Sequence, residues 1–184
     1  QVEEIEKCKK LIEECTEKHE LKVIGWREVP INPNTIGTLS REIMPNIQQI
    51  FVGIKNQNQI VNLEQRLYAL RKTCEENITQ KLNDNSSNET YICSLSTTKI
   101  VYKGLLTSEQ VPKFYSDLNN SSVKSTFGLV HSRFSTNTLG EWKLAHPYRY
   151  VAHNGEINTV RGNRNWMKSK ESELKCKEIS DDIK

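Results

Sequence analysis

Apolar residues recur at helical spacing in two stretches of the chain, residues 2–18 and residues 62–82. Charged residues fill the opposite faces, and Glu64 and Arg71 are expected on the solvated side of the second stretch. Both stretches are therefore predicted to be amphipathic helices that pack on a core. The apolar positions are Val2, Ile5, Cys8, Leu11, Ile12 and Cys15 in the first helix, and Leu63, Leu67, Leu70 and Cys74 in the second.

Shorter apolar runs between and after these helices predict strands. Residues 21–29 and residues 47–54 are each predicted to form a strand, with a turn-rich connector and a short helix at residues 39–44 between them. Residues 90–104 predict a β-hairpin that turns at Thr97-Thr98. Helices and strands in this order are compatible with an α+β fold, although they do not select one by themselves.

A helix is predicted directly after the hairpin. Thr107 and Gln110 have the spacing of a capping box, in which two residues three apart satisfy each other's backbone N–H groups at the start of a helix. The segment that follows, at residues 119–126, is polar and is predicted to be a loop.

Two further apolar runs have the composition of strands, FGLV at residues 127–130 and YRYVA at residues 148–152. Each ends abruptly in polar residues, HSRFST after the first run and HNGE after the second. Two strand ends are therefore predicted to deliver two polar clusters, which is how a site is commonly built into a β core.

The residue types in these clusters favour the binding of an anion. Arg133 offers a planar fork of donors that suits a carboxylate, and the hydroxyls of Ser135 and Thr136 can bind the same oxygens. The amide of Asn154 and the backbone N–H of Gly155 could together hold an oxyanion. The same residues are also compatible with a hairpin turn at Asn154-Gly155 and a surface ion pair at Arg133.

Composition narrows the class of protein only slightly. A chain of 184 residues with net charge +3 is long enough for one domain, and this mild basicity gives no strong indication of nucleic acid. The five cysteines are widely spaced and include no C-x-x-C pair, so they predict neither a disulfide framework nor a zinc knuckle, and a reducing compartment is favoured. No apolar run reaches the length of a membrane span.

Longer motifs carry a resemblance to a known family. HSRFSTNT and LAHPYRYVAHNGEINTVRGNRNWM closely resemble the glutaminase (class II glutamine amidotransferase) domain of the glutamate synthase large subunit. Upstream, LKVIGWREVPIN and TYICSLSTTKIVYKGLLTSEQVPKFYSDL resemble the same family in the same order, so the resemblance covers nearly the whole chain. The GNRNW segment is more similar to glutamate synthases than to other amidotransferases of the class.

The resemblance implies an α+β fold that is part of an N-terminal-nucleophile hydrolase, a four-layer αββα sandwich. The strands at Phe127 and Tyr150 would then belong to its central sheets, and the helices at residues 1–18 and 62–82 would cover the outside. Residues 1–184 are expected to be an internal fragment, a partial glutamine amidotransferase type 2 domain that lacks the strand of the N-terminal catalytic cysteine and the downstream end.

Site residues follow from the resemblance by motif. Arg133, assisted by Thr136, is expected to bind the α-carboxylate of glutamine, while Asn154 and Gly155 would form the oxyanion hole. The family's nucleophile is an N-terminal cysteine whose α-amino group acts as the base. It is not among the five cysteines of this chain, all of which are expected to be structural, so the fragment alone is predicted to be inactive. No metal site is expected.

The intact relatives imply further groups outside this chain. Ammonia from L-glutamine would pass to synthase domains of the same polypeptide for reductive amination of 2-oxoglutarate, with FMN, an iron–sulfur cluster and NAD(P)H or ferredoxin as electron donor. None of these cofactors is expected to bind this fragment. A small reductase subunit or domain is a further candidate partner, and the expected location is intracellular, in cytoplasm or plastid.

Two other function classes stay open on the residues alone. His131, His146 and His153 could bind zinc and make the protein a metal-dependent hydrolase, although their spacing is no recognised ligand pattern. The basic and aromatic residues of RGNRNWM could belong to a nucleic-acid-binding module. We favour the glutaminase and expect neither nucleic acid nor a membrane as partner.

Overall fold

The computed structural model describes residues 2–82, 90–132, 140–146 and 159–173. These residues divide into two compact units. The first unit holds residues 2–22, 53–82, 90–98 and 159–173, and the second holds residues 23–52, 99–132 and 140–146. The elements are α1 (Val2–Lys18), β1 (Leu21–Glu28), α2 (Thr38–Glu42), β2 (Gln48–Ile54), α3 (Leu63–Lys81), α4 (Gln110–Phe114) and α5 (Val160–Glu171), with short 3₁₀ helices at Pro33–Thr35, Gln57–Ile60 and Ser116–Asn119.

The first unit is built on the packing of α1 against α3, as the helical spacing predicted. Beyond the end of α1, the His19 Nε2 atom lies 2.9 Å from Thr73 Oγ1 on α3. Because the apolar stripe of each helix faces the other, removal of these side chains from water stabilises the pair. The buried residues are Leu11, Cys15 and Thr16 on α1, and Leu67, Ala69, Leu70, Cys74 and Ile78 on α3.

The prediction that Arg71 lies on the solvated side of α3 is wrong. Its side chain is only 12% exposed, and Nη1 donates to Glu75 Oε1 at 2.6 Å. The guanidinium also lies 5.1 Å from the centroid of the Tyr68 ring. The charged end of Arg71 therefore has its partners on the same helix, which the helical spacing alone did not indicate.

The second unit has its core around Phe114 at the end of α4. Val29, Ile36, Phe114, Tyr115 and Trp142 form a buried cluster. The predicted helix start is present, since Thr107 N–H donates to Gln110 Oε1 at 2.9 Å, one half of a capping box. Strands β1 and β2 pair in a two-stranded sheet. Both strands and the short helix α2 between them confirm the sequence predictions.

The predicted hairpin at residues 90–104 is wrong, because none of these residues is in a strand. At the predicted turn, the Glu64 carboxylate instead accepts hydrogen bonds from Thr97 N (2.7 Å), Ser96 Oγ (2.9 Å) and the Thr97 hydroxyl. The two arms also belong to different compact units, with residues 90–98 in the first and residues 99–104 in the second. Hydrogen bonds to the Glu64 carboxylate therefore fix the chain at this position.

The predicted strand at residues 127–130 is also wrong. Phe127 is 72% exposed and Val130 is 89% exposed, and neither lies in a strand. An apolar run becomes a strand only where a neighbouring strand pairs with it, and the described residues contain one sheet, of β1 and β2. The predicted strand at residues 148–152 lies outside the described residues. Mixed helix and strand confirm the α+β class, and no described helix is long and apolar enough to cross a membrane.

Candidate active site

Arg133, Thr136, Asn154 and Gly155, which the sequence assigns to the site, lie outside the described residues. The same is true of Ser135 and His153. The structure does describe residues that adjoin them along the chain: 127–132 before Arg133, 140–146 after Thr136, and Thr159 onwards after Gly155. The contacts of these neighbouring segments show how the chain is fixed next to the candidate residues.

Trp142 fixes the segment that follows Thr136 along the chain. Its ring is 4% exposed and lies 5.6 Å, between centroids, from the ring of Phe114. The indole Nε1–H donates to the backbone carbonyl of Ser40 on α2 at 3.0 Å. A buried indole requires a partner for its single N–H donor, and the Ser40 carbonyl provides one. Burial and the hydrogen bond together hold the backbone near residue 142 against the core.

Lys103 makes a second tie to the same segment. Its ammonium donates to the backbone carbonyl of Lys143 at 2.5 Å, and its own carbonyl accepts from the Tyr115 hydroxyl at 2.7 Å. Ala145, two residues further on, is fully buried. The segment at residues 140–146 is therefore held by burial at Trp142 and Ala145 and by hydrogen bonds at Trp142 and Lys143.

The structure brings together two of the three histidines that suggested a metal site. The rings of His131 and His146 lie 4.6 Å apart between centroids, at 45° to one another. The third, His153, is outside the described residues. Across the described parts of the chain, no group of three or more His, Cys, Asp or Glu side chains could hold a metal ion. A pair of imidazoles in ring contact is the arrangement that the structure shows.

An ion-pair network in the second unit was not predicted from the sequence. Arg27 donates from both terminal nitrogens to Asp117, with Nη1 at 3.2 Å from Oδ1, and from Nε to Gln49 Oε1 at 2.7 Å. The Tyr102 hydroxyl donates to Asp117 Oδ2 at 2.9 Å. These residues come from distant parts of the sequence, so no local pattern indicates that they meet.

The network shifts the ionisation of its members in the directions that its geometry requires. The hydrogen bonds from Arg27 hold the pKa of the Asp117 carboxyl below its usual range, with a smaller contribution from the Tyr102 hydroxyl. Burial first, and then the Asp117 carboxylate, raise the pKa of Tyr102 to about 12. Tyr102 therefore stays a neutral donor and Asp117 a charged acceptor at physiological pH, which stabilises the fold between β1 and the Ser116–Asn119 turn.

Three of the described cysteines, Cys8, Cys15 and Cys74, have the surroundings of structural thiols. Cys15 and Cys74 are buried, and burial raises the pKa of the Cys74 thiol. Burial also raises the pKa of Cys8. Since the thiolate is the reactive form, a raised pKa opposes the role of a nucleophile. Cys176 lies outside the described residues.

The iron–sulfur cluster implied for the whole protein does not fit the described residues. Such clusters are held by several cysteine thiolates that converge on the iron atoms. Cys15 and Cys74 instead lie in the packed faces of α1 and α3, and no described group of three or more ligating side chains converges.

Helix α5 begins shortly after the second candidate cluster. The Thr159 hydroxyl accepts a hydrogen bond from Gly162 N–H at 3.1 Å, which caps the helix and fixes its first turn. None of the residues of α5 is buried, and Trp166 is 71% exposed. The cap fixes the residue at which α5 begins after Gly155. Because none of its residues is buried, α5 adds no side chain to a core.

Comparison with known proteins agrees with the family that the motifs indicate. The family model of the class-II glutamine amidotransferases matches residues 1–184. The chain is 47% identical over 172 residues to a ferredoxin-dependent glutamate synthase of Arabidopsis thaliana, covering 94% of this chain and 10% of that protein. It is 44% identical over 183 residues to the NADPH glutamate synthase large chain of Bacillus subtilis, covering 98% of this chain and 12% of that protein.

A third relative is named for another electron donor, NADH. The NADH glutamate synthase of Saccharomyces cerevisiae is 41% identical over 182 residues, which is 96% of this chain and 8% of that protein. The chain thus spans about a tenth of the length of these relatives. The resemblance predicted from the HSRFST and HNGE motifs is confirmed by both kinds of comparison. The chain belongs to the class-II glutamine amidotransferases.

Proposed function

We propose that the protein containing this chain is a glutamate synthase, in which the chain forms part of the glutaminase domain that hydrolyses L-glutamine to glutamate and ammonia. The observation that supports this most is identity of 44–47% to two glutamate synthases over 94–98% of the chain, together with the family match to every residue. As part of the same proposal, the glutaminase domain folds as a four-layer αββα sandwich of the N-terminal-nucleophile hydrolases, to which α1, α3 and the β1–β2 sheet contribute.

Arg133 and Thr136 are the proposed seat for the α-carboxylate of glutamine. A guanidinium can donate two parallel hydrogen bonds to a carboxylate, and a nearby hydroxyl can add a third to the same oxygens. This group is remote from the side-chain amide that reacts. Its binding therefore orients the substrate and sets its affinity, and does not itself lower the barrier of the chemical step.

Asn154 and Gly155 are the proposed oxyanion hole. When a thiolate attacks the side-chain amide carbon of glutamine, the carbonyl oxygen becomes an oxyanion, and two neutral N–H donors stabilise it more than they stabilise the planar amide. Collapse of the tetrahedral intermediate expels ammonia and leaves a thioester. Water then hydrolyses the thioester, releasing glutamate and restoring the thiol.

The nucleophile in this proposal is the N-terminal cysteine of the mature protein, as in the family. Its α-amino group has an unperturbed pKa of about 7.7–8.0, so it can accept the thiol proton at the moment of attack. The burial that raises the pKa of Cys8 and Cys74 supports the exclusion of those thiols from this role. We extend the exclusion to Cys15, Cys93 and Cys176.

The ammonia is proposed to serve reductive amination of 2-oxoglutarate in the synthase domains of the same polypeptide, where FMN and an iron–sulfur cluster supply the redox chemistry. The names of the relatives support ferredoxin or a pyridine nucleotide as the electron donor. A small reductase subunit or domain is a further proposed partner. Cytoplasm and plastid are the proposed alternatives for its location.

A comparison of nitrogen donors tests the function. The full-length protein is supplied with 2-oxoglutarate and one of three reductants, reduced ferredoxin, NADPH or NADH, and glutamate formation is measured with glutamine and, separately, with ammonium. We expect activity with both nitrogen donors and with at least one of the three reductants. Absence of glutamine hydrolysis would refute the proposal. Loss of hydrolysis when a chelator removes zinc would instead favour the metal-dependent hydrolase, the alternative that the contact between His131 and His146 leaves open.

A further inference from the structure

Cys15 and Cys74 meet between the packed helices α1 and α3. Cys15 is 2% exposed and Cys74 is fully buried. Each lies on the face by which its helix packs against the other. The two thiols are in hydrogen-bond contact, and both are free thiols in this structure. Two cysteines from distant parts of the sequence therefore have their sulfur atoms side by side.

A second contact between the same helices supports this register. His19 lies just beyond the end of α1, about one helical turn after Cys15, and Thr73 directly precedes Cys74 on α3. The His19 Nε2 atom is 2.9 Å from Thr73 Oγ1. The hydrogen bond next to the thiol pair therefore helps to hold the two sulfur atoms opposite one another.

We propose that Cys15 and Cys74 are a redox-sensitive pair, which a small disulfide such as glutathione disulfide converts to a protein disulfide that joins α1 to α3. One protein thiolate attacks a sulfur of the oxidant, which forms a mixed disulfide and releases one glutathione thiolate. The second protein thiolate attacks the mixed disulfide, which forms the protein S–S bond and releases the other glutathione thiolate. The two protons of the protein thiols pass to these thiolates, so the protein loses two electrons and the oxidant gains them.

The geometry selects the product of the second step. An S–S bond is about 2.0 Å long and joins Cβ atoms about 3.5–4.5 Å apart, so thiols that are already in contact can form it by rotating their side chains. A neighbouring thiol also acts at a high effective concentration, which makes the mixed disulfide short-lived. Cys8, further back on α1, is hydrogen-bonded to the Thr90 side chain. The expected product is therefore the bond between Cys15 and Cys74.

Burial controls how fast the pair reacts. Burial raises the pKa of the Cys74 thiol, and the neighbouring Cys15 raises it further, so little thiolate is present while the helices are packed. The first attack therefore requires a transient opening between α1 and α3. The same burial protects the closed disulfide from reductants. The pair is expected to respond to sustained oxidation and to remain as thiols in a reducing compartment.

The experiment oxidises the full-length protein under native conditions in mixtures of reduced and oxidised glutathione, and maps its peptides by mass spectrometry without reduction. We expect one linked pair of peptides that carries Cys15 and Cys74, and dithiothreitol should separate it. Oxidation should also slow amide hydrogen exchange in peptides covering residues 2–18 and 63–81. The expected change is about 30- to 1,000-fold, which corresponds to the usual stabilisation by one disulfide.

Cysteine variants provide the controls. Cys15→Ser and Cys74→Ser should each lose the linked peptide and the change in exchange. Cys93→Ser, in the same unit, should keep both. The linked peptide of the wild type decides the question even if a variant fails to fold.

Three results would overturn the inference. They are linkage of Cys15 or Cys74 to a different cysteine, stable glutathione adducts without the linkage, and linkage that forms only after unfolding in urea. Each concerns a bond and its effect on exchange, which do not depend on glutamine. Failure of the inference therefore leaves the proposed glutaminase function in place, and absence of glutamine hydrolysis leaves the inference in place.

Discussion

Gly104 lies directly against the ring of Trp142. A Cβ atom at position 104 would be 2.4 Å from Cζ3 and 2.7 Å from Cε3 of the indole. Real carbon atoms do not approach this closely, and Trp142 has no room to retreat because it is buried and bonded to Ser40. Glycine at 104 is required by this close approach.

Gly104→Ala is therefore expected to destabilise the second unit by about 1–3 kcal/mol, the usual cost of forcing extra volume into a packed core. Hydrogen–deuterium exchange in peptides covering residues 99–120 of the full-length protein would measure the local opening. Gly25→Ala on β1 is the control, since a Cβ there meets nothing within 4 Å. Equal protection in wild type and Gly104→Ala would show that the indole does not pack as described.

Asp117→Asn should loosen the same unit by removing the charged acceptor of Arg27 and Tyr102. Hydrogen bonds to charged groups contribute about 1.5–3 kcal/mol, and partial exposure of Arg27 places the expected loss near the lower value. Exchange rates of peptides covering residues 23–52 provide the measurement. Glu6→Gln, which breaks the exposed pair with Lys9, should have almost no effect.

The ion pair between Arg27 and Asp117 should make the stability of the second unit depend on pH, and the lowered pKa of Asp117 gives the sign of this dependence. The folded pKa of Asp117 is lowered, so its contribution to stability is present above the unfolded value of about 3.9 and is lost as the pH falls through the folded pKa. The difference in exchange between wild type and Asp117→Asn should be full at pH 7 and should shrink below about pH 4. A difference that stays constant down to pH 2 would contradict the ion pair.

Arg133→Lys should chiefly raise the KM for glutamine. A lysine keeps the charge and loses the bidentate geometry, and loss of one charged hydrogen bond corresponds to a rise of about 10- to 100-fold. Steady-state kinetics with glutamine and with ammonium measure the effect, and ammonium-dependent synthesis should be spared. Arg161→Lys on α5 is the matched control, and an equal loss with both nitrogen donors would assign Arg133 to the fold.

Asn154→Ala should lower turnover and leave binding nearly unchanged. Removal of one oxyanion donor typically reduces kcat about 10²–10³-fold, because the hydrogen bond forms fully only in the transition state. Glutaminase kcat and KM of the full-length protein provide the test, with Asn163→Ala on the exposed face of α5 as control. Unaffected turnover would remove Asn154 from the oxyanion hole.

No cysteine of this chain should react as the glutaminase nucleophile. Incubation of the full-length protein with a diazo-oxo-norleucine, an electrophilic analogue of glutamine, should leave Cys8, Cys15, Cys74, Cys93 and Cys176 unlabelled. Cys15 and Cys74 are buried, and burial raises the pKa of the Cys8 and Cys74 thiols, which disfavours attack at these positions. Peptide mass spectrometry locates any adduct. Stoichiometric labelling of one of them that glutamine prevents would overturn the assignment of the nucleophile.

The sequence by itself determined the elements that depend on local patterns. The apolar stripes predicted α1 and α3, the alternating runs predicted β1 and β2, and the Thr107–Gln110 spacing predicted the start of a helix. Helical spacing and capping act between residues only a few positions apart, so they can be read along the chain. The long motifs around Arg133 and Asn154 were also sufficient to identify the family.

Tertiary structure alone decided the contacts between distant segments. The approach of Trp142 to Gly104 and the pairing of Arg27 with Asp117 join residues far apart in sequence, and no periodicity signals them. The failed predictions have the same cause. Residues 90–104 and 127–130 have the composition of strands, but a strand exists only where a second strand supplies its hydrogen bonds, and that partner is chosen by the fold of the whole chain.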